Sequence, residues 1–399
     1  MKILVIFSDM LRANRLSTFN DAVVADSELD VFFNSLGGKA YHNCFSPGPD
    51  TARGIASFTT GLAPHQNGCD IRLKWPRYFL KPGLKTVYDL FLENGYKIDM
   101  LSDPRERAVG LFPAHISEMD VHSSGKYDID KYLGDLVLED KHFVFLSLPQ
   151  FHWTLDVFGS STNGEKYAIK DVAHAFRKVF SKLDKDLFDH IFVFSDHGFK
   201  FAHEVNLDPE FMLLNEDRTN TVLLHRKKYD LGLTSSKKLC SLTDLYPTFE
   251  EILSSDAQSL SLFNEHNRDH VVIEDHINFL PEVNQNIELW AVVTESKMYI
   301  RGLTDARTID RKTREATEGP NAHFDEVLLE ESSYRKYRDE YEKIFVYTVE
   351  LLNAVGDSFG QLYDFRRGKR SSLVTHFFKI KDISMRLFMS LFRAKGAKK

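Results

Sequence analysis

Two strand-like segments that lie far apart in the chain end in the same way. The apolar run Lys2–Phe7 leads into Ser8-Asp9, and the apolar run His190–Phe194 leads into Ser195-Asp196-His197-Gly198. Ligands of open α/β proteins collect at the carboxyl edge of a parallel sheet, where the two acidic side chains would meet. Carboxylates and an imidazole supplied by separate strands are suitable ligands for a divalent metal. The two segments therefore indicate a metalloenzyme.

The rest of the chain alternates strand-like and helical patterns. Further strand-like runs are Lys97–Leu101 and His142–Leu148, and helical patterns cover Thr86–Asn94, which Gly95 ends, Ile169–Phe188 and Ser241–Leu253. Strands that alternate with helices are typical of a mostly parallel central sheet with helices on both faces. We therefore predict an α/β fold for the main part of the chain.

The sequence pattern divides the chain into three parts. Residues 1–285 carry the α/β pattern and end in a polar, irregular stretch that starts near Ser254. Residues 286–371 are predicted to form a small α+β subdomain, which opens with a hairpin of Ile287–Val293 and Lys297–Gly302. Residues 372–399 form a basic amphipathic tail. Such a tail either packs on its own domain or docks on an anionic membrane surface or on a partner.

Composition and charge exclude several classes of function. The chain has 399 residues, 43% of them hydrophobic, and a net charge of −7, without the basic surplus of a nucleic-acid-binding protein. Cys44, Cys69 and Cys240 are too widely spaced for a zinc pair or a disulfide framework. The apolar run before Asp9 is too short for a signal peptide, and no run reaches the ~20 apolar residues of a membrane span. We therefore expect a cytoplasmic protein.

A proline- and glycine-rich loop, Pro47–Asp50, leads into Thr51 and a possible helix. A hydroxyl at a helix N-terminus lies at the positive end of the helix dipole, where backbone N–H groups can hold an anion. Considered alone, this threonine is more typical of a plain helix cap. The choice between the two roles therefore depends on the rest of the sequence.

A series of motifs, in order along nearly the whole chain, resembles the alkaline phosphatase/sulfatase superfamily, and most of all its sulfatase-type branch. The matching segments are Phe7-Ser8-Asp9, Thr51 with Gly61 ten residues later, Pro64-His65-Gln66-Asn67-Gly68, Thr86–Lys97, Asp196-His197-Gly198, Leu242–Phe249 and Gly360–Asp364. The resemblance implies an alkaline phosphatase-like fold, a metal site at the two acidic segments and a nucleophile at position 51.

Departures from the sulfatase pattern argue against the formylglycine route to sulfate ester hydrolysis. Sulfatases convert a Cys or Ser at the position of Thr51 to formylglycine, whereas the branched carbon of threonine would give a ketone. Sulfatases also have an arginine where this chain has Ile55 and commonly a second aspartate where it has Met10. Their Lys/His segment is replaced here by Leu101–Pro104.

A threonine at the nucleophile position instead resembles the phospho-group branch, which includes nucleotide pyrophosphatase/phosphodiesterases, phosphoethanolamine transferases and lipoteichoic acid synthases. The resemblance implies that Asp9, Thr51, Asp196 and His197 hold one divalent cation. It also implies that Thr51 attacks phosphorus and forms a covalent phospho-threonine intermediate. Three oxygens and one imidazole favour Mn²⁺ or Zn²⁺, with Ca²⁺ and Mg²⁺ as alternatives.

Other side chains are candidates for contact with the substrate. His152 and His203 are predicted to touch the transferred phosphate or to act as general acid. The alternatives are a second metal held by both histidines and a purely structural role. Arg53 either pairs with phosphate oxygens or is a solvated surface residue. Lys74 and Arg72 are weaker candidates.

These observations predict a metal-dependent phospho-transferase or phosphodiesterase that acts on a phosphorylated small molecule or glycan. Water or a sugar hydroxyl would be the acceptor. The basic tail would suit work on surface-glycan precursors at the inner face of a bacterial membrane, with peripheral membrane contact and no nucleic-acid partner. Two alternatives are a sulfuric-ester hydrolase with an unconverted threonine and a catalytically silent binding protein.

Overall fold

The computed structural model describes residues 1–69, 71–72, 80–81, 83–103, 119–121, 127–159, 161–199, 214–256, 258–264, 268–277, 287–302 and 306–330. The predictions for His203, for Lys74, for the side chain of Arg72 and for residues 331–399, which include the basic tail, lie outside this description. Within the described ranges, no helix combines the length and the apolar character that crossing a membrane requires.

The strands of the described part form two sheets. They are β1 (Lys2–Ser8), β2 (Gly38–Phe45), β3 (Ile71–Arg72), β4 (Lys97–Leu101), β5 (Met119–Val121), β6 (His142–Leu148), β7 (His190–Phe194), β8 (Leu223–Lys227), β9 (Leu233–Ser241), β10 (Val271–Ile277), β11 (Ile287–Val293), β12 (Lys297–Arg301), β13 (Ala306–Asp310) and β14 (Ala316–Glu318). The eight-stranded sheet has the order β5-β4-β6-β1-β7-β8-β2-β9, and the six-stranded sheet has the order β14-β13-β12-β11-β10-β3. In the larger sheet β8 is antiparallel to both neighbours, and all other pairs are parallel. The predicted α/β class with a mostly parallel central sheet is confirmed.

The helices begin at recognisable capping residues. The α-helices of the described part are α1 (Glu28–Leu36), α2 (Thr51–Thr60), α3 (Pro64–Asn67), α4 (Val87–Glu93), α5 (Ile129–Asp135), α6 (Gln150–Phe158), α7 (Thr162–Lys182), α8 (Glu216–Thr219), α9 (Leu245–Ser254) and α10 (Ala322–Glu330). At the start of α4, the Thr86 hydroxyl accepts the N–H of Asp89, and the Asp89 carboxylate accepts the N–H of Thr86. This reciprocal pair fixes the first turn, and Gly95, with φ of 76°, lets the chain turn away after the helix.

The longest helix starts and ends earlier than the sequence predicts. The helix expected at Ile169–Phe188 is α7. The Ser161 hydroxyl caps its N-terminus by accepting the N–H of Gly164 at 3.1 Å. A separate 3₁₀ turn at Lys185–Leu187 replaces the expected last turn. Capping by a polar side chain, which apolar periodicity does not report, sets the start of this helix.

The predicted irregular stretch after Ser254 contains a strand. β10 lies within it, and β10 pairs with β11, so this sheet includes residues on both sides of residue 285. Polar residues obscure the strand pattern, because Glu274 and Asp275 are buried by pairing with His65 and Arg53. The hairpin of β11 and β12 is present as predicted. The three-part division of the chain stays a prediction.

Hydrophobic cores cover both faces of the large sheet. Along β1, Leu4 and Ile6 face one core, and Val5 and Phe7 face the other. Helices α1 and α7 supply aromatic side chains to the first core, and α2, α4 and α9 supply them to the second. The alternation of side chains along a strand explains why a continuous apolar run buries both of its faces.

Three neighbouring strands end at one level of the large sheet. In the register of β1 with its neighbours, Phe7 lies opposite Ser147 of β6 and opposite Phe194 of β7. Asp9 comes directly after β1, and Asp196 comes two residues after β7. The parallel arrangement therefore delivers both carboxylates to the same edge.

Candidate active site

The two predicted strand-end carboxylates meet at this edge together with an imidazole. Asp9, Asp196 and His197 each offer one ligand atom, and these atoms lie within 4.8 Å of one another. All three residues are buried. The structure thus brings together three of the four predicted metal ligands in a geometry that can hold a cation, although their role as ligands stays a prediction.

Asp196 carries an oxygen that hydrogen bonds do not satisfy. Asp196 is 0% exposed, and its Oδ1 accepts the N–H groups of Met10 at 3.1 Å and of His197 at 2.8 Å. Oδ2 has no hydrogen-bond partner within the described part of the chain. Burial, followed by the nearby charge of Asp9, raises the pKa of Asp196 well above its ordinary value. A bare oxygen beside a second carboxylate is unfavourable without a compensating positive charge, so this site fits a metal ion.

His197 is oriented by its own loop. Its Nδ1 lies 2.5 Å from the carbonyl oxygen of Gly198, so Nδ1–H donates and Nε2 keeps a lone pair. Nε2 lies 3.9 Å from Oδ1 of Asp9 and 3.3 Å from Oδ2 of Asp196. Burial lowers the pKa of His197 to about 4. A neutral imidazole with a free Nε2 lone pair is the form that binds metals.

Thr51 is the first residue of α2, and its hydroxyl is not the helix cap. Asp50 takes that role, since its carboxylate accepts the N–H of Arg53 at 3.1 Å. Oγ1 of Thr51 instead lies 3.4 Å from Oδ1 of Asp9 and 3.4 Å from Nε2 of His197. The hydroxyl therefore joins the cluster of Asp9, Asp196 and His197 as the fourth predicted group.

Two backbone features hold Asp196 in place. Met10 has a positive φ of 64°, which is uncommon for a residue with a side chain and directs its N–H to Asp196. Gly54 in α2 packs against Asp196 so closely that a Cβ atom there would lie 2.6 Å from the Asp196 carbonyl oxygen. The first turn of α2 and the loop after β7 are therefore in direct contact, without space for a side chain at Gly54.

His152 extends the cluster toward solvent. It lies in the first turn of α6, and its Nδ1 is 2.6 Å from Oδ2 of Asp9. Its Nε2 lies 3.5 Å from Oδ1 of Asp156, and its side chain is 30% exposed. Asp9 thus contacts Thr51 through one oxygen and His152 through the other.

Arg53 is buried, so its interpretation as a solvated surface residue is wrong. The residue is 1% exposed. Its guanidinium pairs with the carboxylates of Asp50 and, at 2.7 Å, Asp275, and it donates to the carbonyl oxygen of Glu274 at 3.1 Å. These contacts tie the N-terminus of α2 to β10, whereas the predicted contact with phosphate stays without support from the described structure.

Arg218 is a cation near the site that the sequence did not single out. Its Nη2 donates to the carbonyl oxygen of Pro49 at 2.8 Å, and its Nη1 lies 3.9 Å from Oδ2 of Asp275. Arg218 lies in α8. The Gly198 N–H donates to the Arg218 carbonyl oxygen at 2.8 Å, and this hydrogen bond joins α8 to the loop of His197. The positive charge of Arg218 also contributes to lowering the pKa of His197. No motif or periodicity marks the short helix α8, so only the fold places this residue.

Comparison with known proteins relates this geometry to a known fold. No protein-family model matches the sequence, and no curated protein matches it. A 2-O GAG sulfatase has a similar structure, with a TM-score of 0.60 and 13% identity over 91% of this chain and 94% of that chain. A protein of the alkaline phosphatase superfamily from Vibrio parahaemolyticus gives 0.58 and 13% over 84% and 88%. A phosphonate monoester hydrolase from Silicibacter pomeroyi gives 0.58 and 12% over 85% and 95%. The chain therefore has the fold that these three proteins share.

Proposed function

We propose that this protein is a metal-dependent enzyme that transfers or hydrolyses a phosphoryl group through Thr51. One observation carries the proposal: the Thr51 hydroxyl lies 3.4 Å from both Asp9 and His197, in the cluster that includes the unsatisfied oxygen of Asp196. Neighbours in fold include a phosphonate monoester hydrolase, whose name describes ester hydrolysis at phosphorus. A hydroxyl in such a cluster is suited to nucleophilic catalysis.

The cluster would hold one divalent cation. Asp9, Asp196, His197 and Thr51 supply three oxygen ligands and one nitrogen ligand, a set that favours Mn²⁺ or Zn²⁺. Bound there, the cation would lower the pKa of the Thr51 hydroxyl and offset negative charge on the transferred group. Its positive charge would also compensate the two buried carboxylates, of which Asp196 has a raised pKa.

The side chains around the Thr51 hydroxyl carry out the bond-forming and proton-transfer steps of the proposed reaction. The Thr51 hydroxyl gives its proton to water, its Oγ1 forms a bond to phosphorus, and the bond from phosphorus to the leaving oxygen breaks. Asp9 accepts Nδ1–H of His152, and the doubly protonated ring gives its Nε2 proton to the leaving oxygen. Water or a sugar hydroxyl then attacks phosphorus and gives its proton to Nε2 of His152, while the bond from phosphorus to Oγ1 breaks and releases Thr51.

Positive groups near Thr51 favour an anionic substrate. Thr51 begins α2, so the positive end of this ten-residue helix lies at the nucleophile. We assign Arg218, whose side chain is 14% exposed beside the loop of His197, to charge neutralisation of the transferred group. The substrate class in this proposal is a phosphorylated small molecule or glycan precursor, and the basic tail would bring the enzyme to a membrane surface.

A second candidate function is hydrolysis of sulfuric esters. The name of one structural neighbour, a 2-O GAG sulfatase, favours it. Thr51 would then act as an unmodified hydroxyl, because threonine is not a precursor of formylglycine. The two functions differ in the substrate that is turned over faster.

The test compares 4-nitrophenyl sulfate, 4-nitrophenyl phosphate and bis(4-nitrophenyl) phosphate with added Mn²⁺ or Zn²⁺. We expect the highest kcat/KM on a phosphorus ester, loss of turnover in Thr51→Ala, and a phosphate on Thr51 after acid quenching, detected by mass spectrometry. Thr162→Ala is the matched control, because Thr162 is also the first residue of a helix and is exposed. Faster turnover of the sulfate would support the second function, and unchanged turnover in Thr51→Ala would remove Thr51 from its role.

A further inference from the structure

A cavity of about 570 Å³ opens at the edge of the large sheet opposite the proposed active site. The first residues of β2, β7 and β9 and the last residue of β8 contribute to its lining. His190 begins β7, whereas Asp196 follows its end, and a strand of this length separates them by about 20 Å. The volume falls within the range of about 300–1,000 Å³ that is typical of small-molecule sites. The cavity is therefore distinct from the Thr51 cluster.

The strand register explains why polar groups gather here. His225 of β8 lies opposite Phe192 of β7 and opposite Lys39 of β2, and His190 lies opposite Lys227. Alternate residues of a strand share a face, so these side chains lie on the same face as Phe192, which belongs to the core under α9. The apolar face of the sheet thus changes into a polar face at this edge.

The two histidines form a hydrogen-bonded pair. Nδ1 of His190 lies 2.9 Å from Nε2 of His225, and the ring planes differ by 19°. Burial lowers the pKa of His190 to about 4 and that of His225 well below its ordinary value, so both rings are neutral. Within the described residues, the outer nitrogen of each ring has no hydrogen-bond partner. A neutral pair of this kind presents one donor and one acceptor at its outer nitrogens.

Cations and an aromatic ring complete the lining. Lys39 and Lys227 are exposed, and their ammonium groups make no ion pair with any residue that the structure describes. Phe263 is 38% exposed, and its ring centroid lies 5.0 Å from that of His225. The rim carboxylate of Asp230 accepts the backbone N–H of Lys227 at 2.8 Å. The cavity thus combines an aromatic wall, a donor–acceptor pair and two cations.

We propose that this cavity binds a small planar anion of the mononucleotide type, in which a flat ring carries a phosphate group. The ring stacks on Phe263, and its polar edge meets the donor and acceptor of the His190–His225 pair. The phosphate pairs with Lys39 and Lys227. A ring without phosphate, or phosphate without a ring, uses only part of this lining.

The test is isothermal titration calorimetry of the full-length chain with AMP, adenosine and orthophosphate. An added chelator and the Thr51→Ala substitution remove metal-dependent phosphate chemistry at the other edge of the large sheet. The measured binding of AMP is therefore independent of the proposed function. We expect AMP to bind with a Kd at least about tenfold below those of adenosine and orthophosphate. The double variant Lys39→Gln/Lys227→Gln and the variant Phe263→Ala should each weaken AMP binding by about tenfold or more.

Lys237→Gln is the matched lysine control, because Lys237 is exposed and pairs with Asp21 at 2.8 Å. It should bind AMP as the parent does. The double lysine variant changes only exposed side chains, so it stays informative even if Phe263→Ala unfolds. The proposal is overturned if AMP binds no more tightly than either fragment, or if the folded double lysine variant binds AMP with the parental Kd.

Discussion

Nδ1 of His152 lies 2.6 Å from Oδ2 of Asp9. The other oxygen of Asp9 lies 3.4 Å from the Thr51 hydroxyl, so one carboxylate joins the proposed nucleophile to a half-buried imidazole. A carboxylate that holds one ring nitrogen fixes the orientation of the ring. This relationship supports the proposal that His152 exchanges a proton with the leaving group.

Replacing His152 should therefore affect poor leaving groups most. For His152→Ala we expect kcat on an alkyl phosphodiester to fall by about 10²–10⁴-fold, because an alkoxide needs a proton as it leaves. Turnover of bis(4-nitrophenyl) phosphate should fall much less, since nitrophenolate leaves without one. His174→Gln is the control, because His174 is an exposed histidine on α7, and it should turn over both substrates at the parental rate. An equal loss on both substrates would argue against the acid role.

The Asp196 carboxylate should link metal binding to stability. Mn²⁺ or Zn²⁺ at about 100 times its Kd should raise the free energy of unfolding by about 2.7 kcal/mol. Asp196→Asn should lose most of this gain, because it removes the charge of the unsatisfied oxygen. Asp244→Asn, at another buried carboxylate that pairs with Arg268, should retain it. Thermal unfolding and elemental analysis measure both effects, and a reconstituted protein without bound metal would favour the silent binding protein.

Gly54 should be necessary for the fit of α2 against Asp196. A Cβ atom in Gly54→Ala would lie 2.6 Å from the Asp196 carbonyl oxygen, so α2 or the end of β7 must move. We expect a loss of about 1–3 kcal/mol in unfolding free energy and weaker metal binding. Gly134→Ala in α5 is the control, because nothing lies within 4 Å of its added Cβ atom, and it should stabilise by about 0.4–1 kcal/mol. A Gly54→Ala protein with parental stability and metal affinity would contradict the tight packing.

The meeting of Asp9 with Asp196 was predictable because it needs only local patterns and one rule about sheets. Each acid follows an apolar strand, and parallel strands share a carboxyl edge. The contacts of Arg53 and Arg218 were not predictable in this way. Both arginines contact Asp275 of β10, a strand that lies more than fifty residues further along the chain than either arginine. The buried acidic residues of β10 hide its strand pattern in the sequence. Tertiary pairing of charges leaves no periodicity in the sequence.

The two arginines around Asp275 should respond differently to substitution. Arg53→Met should lower the free energy of unfolding by about 3–5 kcal/mol, because it leaves the carboxylates of Asp50 and Asp275 buried without their partner. Arg218→Gln should raise KM for an anionic ester and change stability much less, since its side chain is less buried. Urea denaturation and steady-state kinetics separate the two effects. A folded, stable Arg53→Met protein with a raised KM would reassign Arg53 to substrate binding.

The His190–His225 pair should make stability depend on pH below neutrality. Unfolded histidines bind a proton near pH 6.5, whereas burial lowers the pKa of His190 to about 4 and that of His225 well below its ordinary value. Between about pH 6.5 and 4 the unfolded state therefore binds more protons, and the free energy of unfolding should fall as the pH falls, by up to about 1.4 kcal/mol per unit for each histidine. Urea denaturation at pH 7 and pH 5 should show a smaller drop for His190→Gln/His225→Gln than for the parent. His174→Gln should keep the parental drop, and an identical drop in the double variant would show that the pair is not the group that titrates.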